Sequence, residues 1–490
     1  MTSVKAPSES PGWRKSFASL VLAVVCFNLA YASPWDWATG VLIFGYAFFL
    51  IYLTDQPTVR RAFYFGLAVG FGCAAGQAFF FVEIFHAAAI VLWLVFGFWI
   101  GVFVAISCGC IRRWGKPTAL WLVPIIWTGT EYFRSELYYL RFSWLNIGYV
   151  FSNFPGIAFN GIGMYGLGFL VFLVASVLCF RKFAGKARMG ALGAGLLALL
   201  FLLCFLPRTT QPKTDSSVKI AGVQFEFPSE HAIPEILDGA LAKHPDSAIF
   251  VMSEYTLDGP VPEALKNWCR KHSRFLVVGG KDIVTNEVYY DTAFVIGTNG
   301  ETVFKQAKCV PIQLFKDGLP AARQDVWDSP WGKIGFCICY DLSYTRVTDQ
   351  LVRMGAQMLI VPSMDVEDWG RHEHNLHARV APVRAAEYGI PIFRVASSGI
   401  SQAVSGEGRV TARASFPGIG DTICAPIQLP ERGSFPIDRL FAPFCVIATA
   451  TATAILLFLE WRERRVGSDQ IVRQPQNFDS GSPGGAHLEK

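Results

Sequence analysis

Long apolar runs crowd the chain before Pro207 and return after Pro436, whereas the stretch between has the polarity of an ordinary soluble domain. A single aqueous core cannot absorb that distribution. A hydrocarbon layer about 30 Å thick is crossed by about 20 helical residues. The runs nearest that length are Ser16 to Tyr31, Ala38 to Leu53, Ala62 to Phe81, Ala87 to Ile111, Pro117 to Thr130, Ile157 to Phe180, Met189 to Leu206 and Leu440 to Leu459. With 52% hydrophobic and only 17% charged residues, against roughly 45–50% and ~25% in an average soluble domain, composition excludes a plain cytosolic globule.

A net charge of +5 points to nucleic acid only where Lys and Arg form a patch, and here they cluster at the ends of apolar runs instead. The clusters are Arg14-Lys15, Arg60-Arg61, Arg112-Arg113 with Lys116, Arg181-Lys182 with Lys186 and Arg188, and Arg462 with Arg464 and Arg465. Basic residues accumulate on the cytoplasmic side of short loops, and eight crossings with both termini cytoplasmic satisfy every cluster. No A-x-A-like site follows the first run, so it reads as an anchor and not a cleaved signal. The expected organisation is a cytoplasmic start (1–15), a bundle of seven spans (16–207), an exterior domain (208–435), a last span (440–459) and a disordered cytoplasmic tail (460–490). The exterior segment, about 230 residues, is large enough for its own core. No nucleic-acid partner is expected, and the bilayer is.

Within the exterior segment short β-branched runs recur at Val218 to Phe225, Ala248 to Met252, Phe275 to Gly279, Ala293 to Ile296, Ile334 to Cys339, Met358 to Val361 and Ile392 to Val395. Helical stretches at Ala232 to His244, Val261 to His272, Thr345 to Gly355 and Leu376 to Tyr388 separate some of them. This is an α/β pattern, with strands buried by helices. Catalysis in such sheets sits where strands end, and three strand ends carry unusual polar residues: Glu254, Lys308 and Cys339-Tyr340-Asp341. A carboxylate can deprotonate a thiol, and a lysine cation can hold the oxyanion formed when the thiolate attacks a carbonyl; the product is a thioester. Cys337, two residues earlier, is an equal candidate on position alone. Five cysteines in this segment (Cys269, Cys309, Cys337, Cys339, Cys424) cannot all pair internally.

Gly335-Phe-Cys-Ile-Cys-Tyr-Asp341, with Val361-Pro-Ser-Met-Asp365, Trp369 and Arg384-Ala-Ala-Glu387 downstream, resembles the nitrilase (carbon-nitrogen hydrolase) superfamily, whose Glu-Lys-Cys triad has the same chain order. The resemblance selects Cys339 over Cys337. Glu131-Tyr-Phe-Arg134, Phe142-Ser-Trp-Leu-Asn-Ile-Gly-Tyr149 and Gly163-Met-Tyr-Gly-Leu-Gly-Phe-Leu170 further resemble the exterior loop and next span of apolipoprotein N-acyltransferases, from the first span to about Leu459. That resemblance implies a polytopic α-helical bundle of about eight spans in a bacterial inner membrane, with an exterior nitrilase-like α-β-β-α sandwich. It implies that Cys339 attacks a phospholipid ester, with Glu254 as base and Lys308 at the oxyanion, and that the acyl chain passes to the α-amine of a diacylglyceryl-cysteine lipoprotein. Tyr340, Asp341, Trp144, Trp369 and Asp317 are the expected substrate-binding residues. No cofactor or metal is expected.

The pattern is not followed throughout. Gln306 stands at the usual lysine spacing before Pro311, so Lys305 is a second candidate beside Lys308; Asp317 takes the place of a nearby glutamate, and Asp341 that of the glutamate after Cys-Tyr. His372-Glu-His-Asn-Leu-His377 is not H-E-x-x-H and reads as a polar segment, not a metal site. Glu131, Arg134, Glu136 and Arg141 read either as a solvated loop or as part of a headgroup site, with Tyr138, Tyr139 and Trp144 at the membrane interface. Arg384 and Glu387, one turn apart, read as a structural ion pair. A membrane-tethered amidase or nitrilase, and a transporter or receptor with an exterior binding domain, are the competing functions.

Overall fold

The computed structural model describes residues 12–153, 159–180, 213–285 and 288–472. The expected span Met189 to Leu206, the Arg181 to Arg188 basic cluster and most of the tail lie outside them. The membrane part consists of α1 (Trp13–Ala32), α2 (Asp36–Tyr52), α3 (Val59–Gln77), a short α4 (Phe81–Phe85), α5 (Ala89–Trp114), α6 (Lys116–Tyr132) and α7 (Phe159–Phe180). By length and composition, four helices among the described residues can cross a membrane: Trp13–Ala32, Phe81–Trp114, Phe159–Phe180 and Asp438–Arg465; α2 is apolar but shorter. Each expected run within the described residues coincides with a helix, while α3 and α6 are shorter or less apolar than such a crossing requires. Helices α3 and α5 cross at glycines: a Cβ on Gly70 would lie 2.7 Å from Gly97 Cα, and one on Gly66 2.8 Å from Gly101 Cα. Small residues there let the backbones touch, which drives helix association where lipid offers no hydrophobic gain.

Two six-stranded sheets build the domain that follows the bundle. The first holds β1 (Lys213–Val223), β2 (Ile249–Val251), β3 (Phe275–Thr285), β4 (Val288–Ile296), β5 (Thr302–Ala307) and β12 (Thr422–Pro430), in the order β12-β1-β2-β3-β4-β5. The second holds β6 (Val326–Ser329), β7 (Gly332–Phe336), β8 (Met358–Ser363), β9 (Ile392–Ala396), β10 (Gln402–Val404) and β11 (Val410–Arg413), in the order β11-β10-β9-β8-β7-β6. Parallel pairing is confined to the centres, β1-β2-β3 and β7-β8-β9.

Alternation along the strands decides the layers. Ile220, Ile249, Val251, Val277 and Val295 share a core with Phe336, Met358, Ile360 and Phe393 of the other sheet. Their neighbours Ala221, Phe250, Met252, Leu276 and Val278 pack beneath α8 (Ile233–Lys243) and α9 (Glu263–His272). The outer face of the second sheet carries α10 (Thr345–Arg353), α11 (Gly370–Ala378) and α12 (Val380–Tyr388), and the chain returns to the bundle through α13 (Asp438–Val472). Two helices replace the single one expected over Leu376 to Tyr388, because Pro382 has no N–H to give the Ala378 carbonyl.

The domain is bolted to the bundle by buried polar groups. Glu387 Oε1 accepts from Met164 N at 2.8 Å, while its Oε2 pairs with Arg384 (2.7 Å) and Arg439 (2.8 Å). Asp438 accepts from Tyr165 N at 2.9 Å, and a side chain on Gly163 (φ +72°) would collide with that carboxylate. Glu136 accepts from Thr345 N (3.1 Å) and Tyr165 OH (2.9 Å), and Arg134 donates to Phe142 O (2.7 Å) and Asn146 Oδ1 (2.6 Å). With Glu131, Arg134 and Glu136 only 2–4% exposed, these three charges are not solvated: Glu136 belongs to the joint, while Glu131 and Arg134 are held by bundle residues. Arg384 and Glu387 are the structural pair expected.

Candidate active site

Three chain segments converge at the ends of β2, β5 and β7, where the two sheets meet the bundle. Glu254 follows β2 at a point where the backbone lies against β3; a Cβ on Gly279 would come 2.5 Å from Glu254 Cα, so only glycine admits that approach. Lys308 follows β5 and Cys339 follows β7. Cys339 has φ +49° and Tyr255 has φ +52°, a region that costs a non-glycine residue about 1–3 kcal/mol and persists only where the surroundings enforce it.

Lys308 Nζ lies 2.7 Å from Glu254 Oε1, 2.8 Å from Asp317 Oδ2 and 3.4 Å from Asp291 Oδ2, all fully or nearly fully buried. Burial alone would depress the lysine, but Glu254, Asp317 and Asp291 outweigh it and hold Lys308 well above its ordinary range. One cation cannot neutralise three carboxylates. Asp291 is the group that yields: burial first, then Glu254, pushes its carboxyl well above the usual range. Glu254 Oε2 accepts from Met364 N at 2.6 Å, and the Cys339 thiol faces Met364 O at 3.8 Å. The backbone of one residue, Met364, thus spaces acid and thiol. Burial, then the Glu254 charge, raises the thiol well above its ordinary value, so it is uncharged at rest and requires a base to become a nucleophile.

Asp341 is not among the residues lining the Cys339 cavity; its side chain holds backbone. Its carboxylate accepts from Cys309 N (3.0 Å), Val310 N (2.7 Å) and Ile338 N (3.2 Å), tying the segment after Lys308 to the turn that carries Cys339. Burial lifts it to about 6 against those bonds. Asp317 is likewise occupied, by Lys308, by Tyr255 OH at 2.8 Å and by Ile312 N at 2.6 Å. Lys305 is half-exposed and pairs with Asp282 at 2.5 Å, away from Glu254. Cys337 is sealed in the core. No disulfide occurs among the described residues.

Cys339 opens on a cleft between domain and bundle. Its membrane side is aromatic, with Phe81, Trp93 and Phe96; Tyr340, Trp144 and Trp369 close the other side. Trp144 comes from the bundle, donates to Ser343 Oγ at 2.9 Å, and stacks on His377 with centroids 4.5 Å apart. His377 Nδ1 lies 2.8 Å from Asp365 Oδ1, and Arg394 pairs with the same carboxylate. Burial would raise Asp365, but Arg394 and then His377 hold it well below the usual carboxylate range. A ring nitrogen of His377, an oxygen of Asp365 and Cys339 Sγ lie within 4.8 Å of one another, as do oxygens of Glu254, Asp291 and Asp317. Side-chain cations, Arg394 in the first group and Lys308 in the second, already stand where a metal's charge would act.

Sequence reasoning missed Asp291 and Arg394, quoted Asp365 only within the family-like segment, and read Glu373 and His377 as part of a polar segment. Arg394 carried a readable signal: a charge inside the apolar strand Ile392–Ala396 demands a buried partner. Asp291 likewise sits inside the strand Val288–Ile296, whereas Asp365, Glu373 and His377 sit in polar stretches whose three-dimensional neighbours no local pattern announces.

Fold and site define a carbon-nitrogen-hydrolase-type thiol enzyme joined to a helical membrane bundle. Residues 231–436 match the carbon-nitrogen hydrolase family, and residues 20–177 match the apolipoprotein N-acyltransferase N-terminal domain. The apolipoprotein N-acyltransferase of Geobacter metallireducens is 23% identical over 90% of this chain and 95% of its own. That of Shewanella oneidensis is 25% identical over 84% and 90%. Nit3 of Saccharomyces cerevisiae, a member of branch 10 of the nitrilase superfamily, covers 44% of this chain and 90% of its own with 21% identity and a TM-score of 0.38. The chain belongs to the apolipoprotein N-acyltransferase family of the nitrilase superfamily.

Proposed function

We propose that Cys339 takes an acyl chain from a membrane phospholipid and passes it to the α-amine of a diacylglyceryl-cysteine lipoprotein. The observation that carries this is the opening of Cys339 on an aromatic cavity shared with the bundle; a soluble amidase substrate would have no use for that wall. Glu254 removes the thiol proton, sulfur attacks the ester carbonyl, and Lys308 opposes the oxyanion charge in a site that excludes water. Lysophospholipid leaves, and aminolysis of the thioester completes the cycle. Because both substrates are lipid-anchored, holding them at one surface replaces a three-dimensional search.

The same reading places eight spans and both termini on the cytoplasmic side of a bacterial inner membrane, with the catalytic domain, about residues 208–435, outside. The basic clusters at the run ends support it. The test is incubation of the purified full chain with phospholipid vesicles and a diacylated lipopeptide. A third, amide-linked acyl chain with stoichiometric lysophospholipid supports the proposal; free fatty acid with unmodified lipopeptide makes the protein a hydrolase and refutes it.

A further inference from the structure

The cavity holds a carboxyl that the first half-reaction does not use. Glu373, on α11, is 1% exposed, lines the Cys339 cavity, and neither of its oxygens has a hydrogen-bond partner. His374 Nδ1 lies 3.1 Å from Glu373 Oε2 but donates to Gly370 O at 2.9 Å instead. One turn along the same helix, His377 is also 1% exposed and lines the cavity, and its Nε2 has no partner. Nδ1 faces an Asp365 carboxylate oxygen and an Arg394 guanidinium nitrogen at 2.8 Å each; with its proton on Nδ1, toward the carboxylate, the ring keeps its lone pair on Nε2. Burial, then the Asp365 charge, raises Glu373 well above the usual carboxylate range, so its idle oxygens are costly until a cationic donor arrives, and the wall around it is otherwise largely apolar.

We propose that Glu373 and His377 form the subsite that receives the α-ammonium of the acceptor: Glu373 accepts its hydrogen bonds, and His377 Nε2 takes the proton that frees the nitrogen lone pair. The proposal rests on the acyl-transfer reading. The freed amine attacks the thioester carbonyl, an N–C bond forms and the C–S bond breaks. Of the two protons the nitrogen sheds, one restores the Cys339 thiol and the other leaves to water. The groups facing His377 are Asp365, Arg394, Glu373, His374 and Cys339, with Arg134 and Arg141 on the same cavity wall. Burial lowers the imidazole below its ordinary value, so it is neutral and able to accept a proton at pH 7.

The experiment separates the half-reactions. Full-length protein is loaded with phospholipid, the Cys339 thioester is quantified by intact mass, and its discharge by diacylated lipopeptide is followed. Glu373→Gln and His377→Asn are expected to load but to discharge about 10-fold or more slowly at pH 7, the scale of losing a charge-assisted hydrogen bond. The His377→Asn deficit is expected to shrink at pH 9.5, above the ~8 at which an α-amine deprotonates unaided. In the wild type an N-acetylated lipopeptide should compete at least about 10-fold more weakly than the free amine, since only the latter offers a charged donor. Wild-type discharge rates in both variants, a deficit independent of pH, equal loss of loading and discharge, or equal competition by the acetylated peptide would each overturn the proposal. Absence of any thioester in the wild type would instead overturn the acyl-transfer reading beneath it.

Discussion

Replacing Lys308 and Lys305 in turn by methionine separates two lysines that are three residues apart in sequence and differ entirely in surroundings. Lys308→Met removes the cation from among Glu254, Asp317 and Asp291, leaving three buried carboxyls facing one another. Removing one partner of a buried ionic group costs about 3–5 kcal/mol, and losing an oxyanion-stabilising donor costs about 10²–10³ in rate. Lys305 is 58% exposed in its pair with Asp282, where about 1 kcal/mol is an upper limit. The assay is acyl loading of Cys339 from phospholipid, read by intact mass, with thermal unfolding in the same detergent. Lys308→Met should load at least about 100-fold more slowly and unfold earlier, by more as pH rises, because its uncompensated carboxyls hold protons in the folded state that they lose when unfolded. Lys305→Met should match the wild type within about twofold. The reasoning fails if Lys305→Met is the slower variant, or if Lys308→Met loads normally.

Three further outcomes follow from the geometry. Cys337→Ala should keep acyl loading within about twofold, because that thiol is sealed in the core, whereas Cys339→Ala should abolish it; intact mass decides. Asp341, raised to about 6 from 3.8, binds its proton more tightly when folded. Its contribution is fully present below pH 4 and is lost as pH rises through 6, by about 3 kcal/mol, so unfolding midpoints of wild type and Asp341→Asn should diverge over that window. Glu136→Ala strips acceptors from Thr345 N and Tyr165 OH at the joint; at about 1–3 kcal/mol for each orphaned donor, calorimetry should show the midpoint falling by several degrees.

The layers and the triad were readable because burial and chemistry leave local marks. Strands β2 and β8 are buried and largely apolar on both faces, as are β7 beyond Lys333 and β9 apart from Arg394, so the runs at Ile249, Ile334, Met358 and Ile392 announced themselves. Edge strands β5, β6 and β11 alternate with polar residues, lie at the sheet margins, and gave no such run. Glu254, Lys308 and Cys339 stood out as functional groups at strand ends, whereas the lysine was fixed only by folding, which turns Lys305 toward Asp282 and solvent. Asp341 illustrates the opposite limit: its partners Cys309 and Val310 are about 30 residues away in sequence, so position beside the nucleophile suggested substrate contact when the side chain in fact holds backbone. The burial of Arg134, Ser135 and Glu136 was not legible, because Thr345 and Arg384, which meet Glu136, lie about 200 or more positions later in the chain.

The most direct test is the acyl state of Cys339 in the full-length protein exposed to phospholipid and digested under conditions that preserve thioesters. One acyl chain on the Cys339 peptide, absent in Glu254→Gln and removed by diacylated lipopeptide faster than by water, is the predicted result. An unmodified Cys339 peptide beside an acylated lipopeptide product would contradict the account, because the chain would then pass directly between lipids without the thiol.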